Sequence, residues 1–261
     1  MATWEYPCDA PVDVHVEIAA GTVGISGEPT DLITVHAERT GNGWPAAGTD
    51  ELTVSYAGGR LTVTDDAEHG FRIRRHGYDV KITVPAGSRC TVRSGAADVG
   101  CDGDFGALDV RTSAGDVRSE RVDGPADLHT ASGEITLDEA SGTARLETGS
   151  GEISVRRAGG DVVATTASGD IAIGTAEGSV TARSASGTVR VARVSRGATE
   201  VSTASGDIEV LVAPGIGVRL DLSTVTGRVT SDLEPAGQDG PGDLRLTCRA
   251  VTGSVHVASA A

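Results

Sequence analysis

The sequence predicts an all-β fold, a β-solenoid with about two short strands per 18-residue coil and an irregular N-terminal β cap. Three observations support this fold class. Glycines recur every nine residues from position 115 to position 187. Apolar residues alternate with polar ones after these glycines, which is the period of a strand with one buried face. Aromatic residues make up only 3% of the chain and all precede residue 106, so the repeats need a core of small aliphatic side chains.

The N-terminal region predicts alternating strands at irregular spacing. These strands cover residues 12–18, 32–37, 52–56, 60–64 and 80–84, and turn-forming residues at 41–45 and 67–70 interrupt them. An open solenoid end exposes unpaired strand edges, so we expect this region to cover the first coil. We therefore divide the chain into a capping region (1–90) and a repeat array (91–261) that form one continuous structural unit.

Alternate nine-residue units share the same residues, so the true period is about 18. The motif Ser-Gly-Asp/Glu-Ile occurs at 132–135, 150–153, 168–171 and 205–208. Residues two and four places after the turn glycine, such as Ile171 and Ile173, face the core, and the residue between them faces outward. A meandering antiparallel sheet of nine-residue hairpins would give the same alternation. The copying of turn residues at 18-residue spacing favours stacked coils.

The composition argues against a nucleic-acid partner. The chain carries 22 Lys and Arg against 37 Asp and Glu, a formal charge of −15, whereas binding to phosphates needs a basic surface. The dense basic run at 72–76 is expected to be a solvated face, with an anion or partner contact as the alternative. We find no apolar stretch long enough to span a membrane and no export leader, so we expect a cytoplasmic protein.

No sequence motif predicts catalysis or a bound cofactor. The chain has no nucleophile elbow, zinc-protease motif or P-loop, and the repeats lack the Gly-Gly-x-Gly-x-Asp pattern of calcium β-rolls. We therefore expect no enzymatic activity, no cofactor and no metal site. Cysteines at 8, 90, 101 and 248 form no metal-ligand spacing. They are either isolated reduced thiols or include a Cys90–Cys101 disulfide.

One constellation of charged residues remains, at the position that follows the turn glycine. Its members are Asp116, Glu134, Glu152, Asp170 and Asp207. On stacked coils these carboxylates would form a column with a spacing of about 5 Å. The column is either a solvated ridge that discourages aggregation or a site for cations or for a basic partner surface.

The Ser-Gly-Asp/Glu-Ile repeats, together with Ala-Gly-Thr-Val-Gly-Ile at 20–25, resemble a bacterial adhesin-like family of β-strand repeats. This family is the domain of unknown function 4097, also called toastrack. The resemblance implies a solenoid β fold and a scaffold or interaction role linked with the cell envelope, and it supplies no catalytic residue.

We therefore predict a non-enzymatic scaffold that binds protein partners or a second copy of itself, with a peripheral envelope association. The alternative is a β-helix carbohydrate-active enzyme, a lyase or a hydrolase. A pocket with converging carboxylates and a histidine would favour the enzyme, and a smooth surface would favour the scaffold.

Overall fold

A computed structural model describes residues 2–40, 52–65, 77–233 and 244–260, and within these ranges every regular element is a β-strand. The basic run at 72–76 and the predicted turns at 41–45 and 67–70 lie outside the described residues. The strands are β1 (Ala2–Pro7), β2 (Asp13–Glu28), β3 (Leu32–Thr40), β4 (Leu52–Ala57), β5 (Arg60–Asp65), β6 (Gly77–Pro85), β7 (Ser88–Ala114), β8 (Val117–Val122), β9 (Ala126–Ser132), β10 (Ile135–Ala140), β11 (Ala144–Ser150), β12 (Ile153–Ala158), β13 (Val162–Ser168), β14 (Ile171–Ala176), β15 (Val180–Ser186), β16 (Val189–Val194), β17 (Gly197–Ser205), β18 (Ile208–Val212), β19 (Val218–Thr226), β20 (Val229–Ser231), β21 (Leu244–Thr252) and β22 (Val255–Ser259).

The chain divides into two compact units, residues 1–131 and 132–261. The boundary that the sequence suggests at residue 90 stays a prediction. In both units strands pair mainly in parallel with the corresponding strand of another coil, which confirms the predicted all-β solenoid.

The second unit is a stack of coils with an 18-residue register. Ile135 pairs with Ile153, Ile153 with Ile171, and Ile171 with Val189, all in parallel. The other strand of each coil follows the same rule through β11, β13 and β15. This parallel register excludes the meandering antiparallel sheet, in which neighbouring strands would run in opposite directions.

Small aliphatic side chains fill the interior of the second unit. The inward positions hold Ile, Val, Leu and Ala, and nearly all of them are fully buried. Ala144, Ala164 and Ala182 are fully buried, and the predicted inward residues Ile171 and Ile173 are each 1% exposed. The interior therefore has the aliphatic core of small side chains expected from the absence of aromatic residues.

The last coils of the second unit are not stacked in chain order. β21 pairs on one side with β17 and on the other with β19, while β22 lies between β18 and β20. The segment 244–259 is thus inserted between two coils that precede it in the sequence. As a result, β19 and β20 form the final coil of the described stack.

The first unit carries the irregular cap that the sequence predicts. All five N-terminal strands expected from the sequence form, as β2 to β6, and β1 was not predicted. β2 is bent, so that its first half pairs with β5 and its second half with β6, while both halves pair with β7. The cap itself consists of antiparallel pairs, β1 with β3, β3 with β6, and β4 with β5.

The turn glycines are required because adjacent coils approach closely at the turns. Gly169 has φ +151°, and a Cβ there would lie 2.0 Å from the carbonyl oxygen of Gly151. Gly151 has the same relation to Gly133, at 1.9 Å. No side chain fits such a gap, so the 18-residue spacing of these glycines follows from the stacking of the turns.

Substituting Ile171 tests the inward register. Ile171→Asp places an unpaired carboxylate in an aliphatic core, so we expect the free energy of unfolding to fall by at least about 3 kcal/mol. Ala172→Asp, on the outward side of the same strand, is the matched control, with an expected loss below about 1 kcal/mol. Urea denaturation measures both values, and equal losses would contradict the register.

Candidate functional site

The backbone register places the predicted acidic residues at one turn of successive coils. In the second unit, the amide that follows each of these residues donates to the carbonyl one coil further on, at 2.9–3.0 Å. Glu134, Glu152 and Asp170 therefore occupy neighbouring coils, and Thr188 separates Asp170 from Asp207. Asp116 occupies the equivalent turn position in the first unit, beside Asp98.

Two aspartates of this column, Asp170 and Asp207, bind the backbone of the next coil. The Asp170 Oδ1 atom accepts a hydrogen bond from the Thr188 amide, and Asp207 Oδ1 accepts one from the Ser254 amide, both at 2.7 Å. Asp98 accepts the amide of Asp116 in the same way at 3.0 Å. A carboxylate that accepts a backbone amide forms a charge-assisted bond, so these aspartates stabilise the stacking of the turns.

The longer glutamates of the column make different contacts. Glu134 Oε1 accepts a hydrogen bond from the hydroxyl of Thr136 at 2.9 Å, within its own coil. Within the described part of the chain no donor bonds the Glu152 carboxylate, which sits between Glu134 and Asp170 in the register. Like charges at neighbouring positions repel, so Glu152 is the member of the column that has carboxylates on both sides and no compensating bond.

The structure brings no metal site together from the residues it describes. In residues 2–40, 52–65, 77–233 and 244–260, no group of three or more His, Cys, Asp or Glu side chains is arranged to hold a metal ion. Binding of cations or of a basic partner surface by the acidic column stays a prediction.

The turn hydroxyls that repeat in the sequence have a structural role. Thr148 donates to the Gly133 carbonyl at 3.0 Å, and Ser184 donates to the Gly169 carbonyl at 3.1 Å. Thr166 and Thr203 make the same bond to the preceding turn at 3.3 and 3.2 Å. These side chains are almost completely buried, so they satisfy turn carbonyls and are not available to a ligand.

An open cleft of about 450 Å³ lies in the first unit. Its polar lining includes Glu17, Asp65, Arg93, Arg111 and His129. None of the described lining residues is aromatic, whereas sugar-binding clefts usually offer aromatic platforms. The cleft holds two carboxylates and a histidine, which are the residue types that would favour an enzyme.

Both arginines of the cleft bind carboxylates of the protein itself. Arg93 forms a bidentate pair with Asp109, with Nη1–Oδ1 at 2.9 Å and Nη2–Oδ2 at 2.6 Å. Arg111 Nε lies 3.5 Å from Asp109 Oδ1, and Arg111 Nη2 lies 3.6 Å from Asp127 Oδ2. The hydrogen bond from Arg93 holds the pKa of Asp109 below its ordinary value, against the opposing effect of partial burial. These guanidinium groups are therefore already matched by carboxylates.

This ion-pair network was missed by sequence reasoning, although the sequence contains its signal. Arg93 and Arg111 are 18 residues apart, and so are Asp109 and Asp127. The 18-residue period places the two arginines at equivalent positions of adjacent coils, and it does the same for the two aspartates. Because the arginine and aspartate positions differ, each arginine can reach an aspartate.

The cysteines offer no reactive site. All four are buried and free, so no Cys90–Cys101 disulfide is present. Burial raises the pKa of Cys101 and of Cys248 to about 12, and it also raises the pKa of Cys90. Thiols with such pKa values stay protonated at neutral pH and are weak nucleophiles.

These features define a β-solenoid repeat protein whose turn residues mainly bind the neighbouring coil. Residues 13–233 match the family model described as Toastrack DUF4097. The match covers most of the chain, so the chain belongs to the Toastrack family, a domain of unknown function. No sequence in the set of curated proteins matches it.

Solved structures with a similar fold cover nearly the whole chain. A "putative adhesin" from Parabacteroides merdae has 12% identity and a TM-score of 0.53, with 98% of this chain and 95% of that chain covered. A "putative adhesin" from Bacteroides fragilis has 10% identity and a TM-score of 0.49, with 98% and 96% covered. A "Putative lipid binding protein" from Parabacteroides distasonis has 15% identity and a TM-score of 0.48, with 98% and 96% covered. At these identities the Parabacteroides merdae match shows the fold alone.

The described residues contain no helix that is long and apolar enough to cross a membrane.

Neutralising two members of the acidic column should have opposite effects. Asp170→Asn weakens the bond to the Thr188 amide, so we expect a loss of about 1 kcal/mol in the free energy of unfolding. Glu152→Gln removes like-charge repulsion, so we expect a gain of a few tenths of a kcal/mol that salt diminishes. Thermal melting at two ionic strengths, with and without Ca²⁺ at fixed ionic strength, measures both. A loss in both variants would contradict the distinction, and a Ca²⁺-specific rise that Glu152→Gln abolishes would establish a cation site.

The Arg93–Asp109 pair predicts a pH dependence of stability. Because the pKa of Asp109 is lower in the folded state, its stabilisation is complete above the ordinary carboxyl pKa of about 3.9 and is lost as the pH falls through the folded value. Asp109→Asn should therefore cost about 1 kcal/mol at neutral pH, a value discounted for partial exposure, and progressively less below about pH 4. Urea denaturation from pH 7 to pH 3 measures this, with Asp127→Asn as the control. A difference that does not change with pH would contradict the assignment.

Proposed function

We propose that the chain is a non-enzymatic scaffold that binds protein partners through the outward side chains of its coils. The observation that carries this proposal is the separation of roles along each strand. Inward residues and turn residues are committed to the stack, whereas the outward residues are half-buried or exposed and include charged side chains such as Arg156 and Arg183. Outward residues can therefore vary or bind without disturbing the core.

The outward charges of the second unit form pairs across adjacent coils. Arg156 lies 3.6 Å from Asp138, and Arg183 lies 3.3 Å from Glu200. The four side chains are 44–58% exposed. Exposed pairs of this kind contribute little to stability, so their charges are free to be exchanged for those of a partner.

A peripheral association with the cell envelope and a cytoplasmic location are part of this proposal. The name of the Parabacteroides merdae protein, a "putative adhesin", agrees with a binding role. Fractionation of the native bacterium tests the location. If the chain is recovered with the membranes and high salt releases it, the result supports a peripheral association. Secretion into the medium would contradict the cytoplasmic location.

Partner binding is tested by crosslinking the full chain in its native bacterium and then reconstituting each captured protein with purified chain. We expect direct binding that weakens with salt, because the outward faces are charged. Arg156→Glu combined with Arg183→Glu should raise the Kd about tenfold and leave the melting temperature nearly unchanged. Ser154→Ala, on the same outward face, is the control and should leave the Kd unchanged. Failure of every captured protein to bind directly would contradict the proposal.

The cleft in the first unit is where a carbohydrate-active enzyme would hold its substrate. Glu17 and Asp65 are the carboxylates that would act as acid and base there. Incubation of the chain with a panel of polysaccharides tests this alternative through the release of reducing or unsaturated ends. Turnover that Glu17→Gln and Asp65→Asn both abolish would replace the scaffold proposal with an enzyme.

A further inference from the structure

The final coil of the second unit presents an unpaired strand edge. Among the described residues β19 pairs only with β21, and β20 pairs only with β22. The opposite edges of β19 and β20, here called the terminal edge, therefore carry backbone amides and carbonyls without a strand partner in the described ranges. Residues 218–231 contain no proline and no lysine, the residues that usually protect exposed strand edges from pairing.

Apolar side chains exposed to solvent are concentrated at this end. The large apolar residues that are exposed in the described ranges are Leu220, Val225, Val229 and Val251. All of them lie on the last two coils of the stack. Leu220 continues the inward column of Leu246, yet it is 36% exposed whereas Leu246 is fully buried, because no further coil of the described residues covers it. Within the described ranges the core of the unit is thus open at the terminal edge.

The charges on β19 are complementary to a second copy of the same strand. Arg219 and Asp221 flank Leu220 on the outward face. In an antiparallel pair of two β19 strands centred on Leu220, Arg219 of one copy lies opposite Asp221 of the other, and Val218 lies opposite Leu222. Within the described residues Arg219 has no carboxylate partner and is in register with Arg245, a like charge. Asp221 lies 3.2 Å from Arg249 of its own chain, and in the dimer the same carboxylate would also face Arg219 of the second copy, once for each Arg219.

We infer that the terminal edge is the interface of a two-fold homodimer in which the two β19 strands pair antiparallel. This inference rests on the proposed scaffold function and names a partner for it, a second copy of this chain. A rotation about an axis normal to the sheet keeps inward side chains inward, so both Leu220 side chains enter one continuous core. The contact is isologous and closed, and it therefore ends at a dimer and does not build a fibre.

Sedimentation velocity on the full chain tests the inference with two charge reversals. Arg219→Asp places two aspartates opposite each other in the pair, and Asp221→Arg places two arginines opposite each other. Each variant alone should raise the dimer Kd about tenfold or more, because two attractive pairs become repulsive. An equimolar mixture of the two variants should recover the dimer, because each restores the missing charge of the other. Melting temperatures confirm that both variants are folded.

Three results would overturn the inference. The first is a wild-type chain that stays monomeric at about 100 µM, far above the Kd expected of a specific interface. The second is a dimer that neither reversal weakens, which would place the interface elsewhere. The third is a mixture of the variants that remains monomeric, which would exclude the antiparallel register centred on Leu220.

Arg183→Glu, an outward reversal away from the terminal edge, is the matched control and should leave the dimer intact. Comparison of Arg183→Glu with Arg219→Asp separates the dimer proposal from the scaffold proposal. Arg183→Glu should weaken the binding of other proteins without affecting dimerisation, and Arg219→Asp should do the reverse. A monomeric chain that still binds its partners would overturn the dimer alone, and a dimer without partners would overturn the scaffold proposal alone.

Discussion

The structure depends on in-register hydrogen bonding between coils that repeat every 18 residues. The backbone amides and carbonyls of each coil bond those of the neighbouring coils. A strand residue therefore lies beside the equivalent residue of the next coil. This constraint explains why the turn residues are so uniform. Gly151 and Gly169 lie where successive turns approach within contact distance, and Thr148 and Thr166 bond to the carbonyl of the turn before. A change at one turn therefore affects two coils.

The same stacking decides what the acidic column does. Short aspartates reach the amide of the next coil, as Asp170 reaches Thr188, and become part of the ladder. Glu134 instead accepts a hydrogen bond from Thr136 of its own coil, and within the described residues no donor bonds the Glu152 carboxylate. A column that looks uniform in the sequence therefore contains aspartates that bond the next turn and a glutamate, Glu152, whose charge has no such compensation in the described residues. Where an aspartate accepts a hydrogen bond from the next turn, this bond offsets part of the repulsion between carboxylates of neighbouring coils.

The two units end their sets of parallel strands differently. In the first unit, antiparallel strands such as β1 and β4 cover the edge that a parallel coil would leave open. In the second unit the inserted coil 244–259 takes the interior place and leaves β19 and β20 outside. The inward positions agree with this order, because β20 has Ser231 where β22 has the buried Val257. A polar residue is tolerated in the outermost coil, where water reaches it, and would be costly one coil deeper.

The sequence by itself determined the solenoid, the length of its coil and the inward residues, because glycine spacing and strand alternation are local patterns that stacking enforces at every repeat. Ile171 and Ile173 were identified from this pattern alone. The five N-terminal strands were also predictable, since alternation marks each of them. Only the tertiary structure decided the order of the last coils, because the turns at Gly227 and Gly253 are nearly interchangeable in sequence and their place depends on the packing of whole coils. It also decided which carboxylates bond the backbone, since the reach of a side chain across a coil is a matter of distance that the order of residues does not contain.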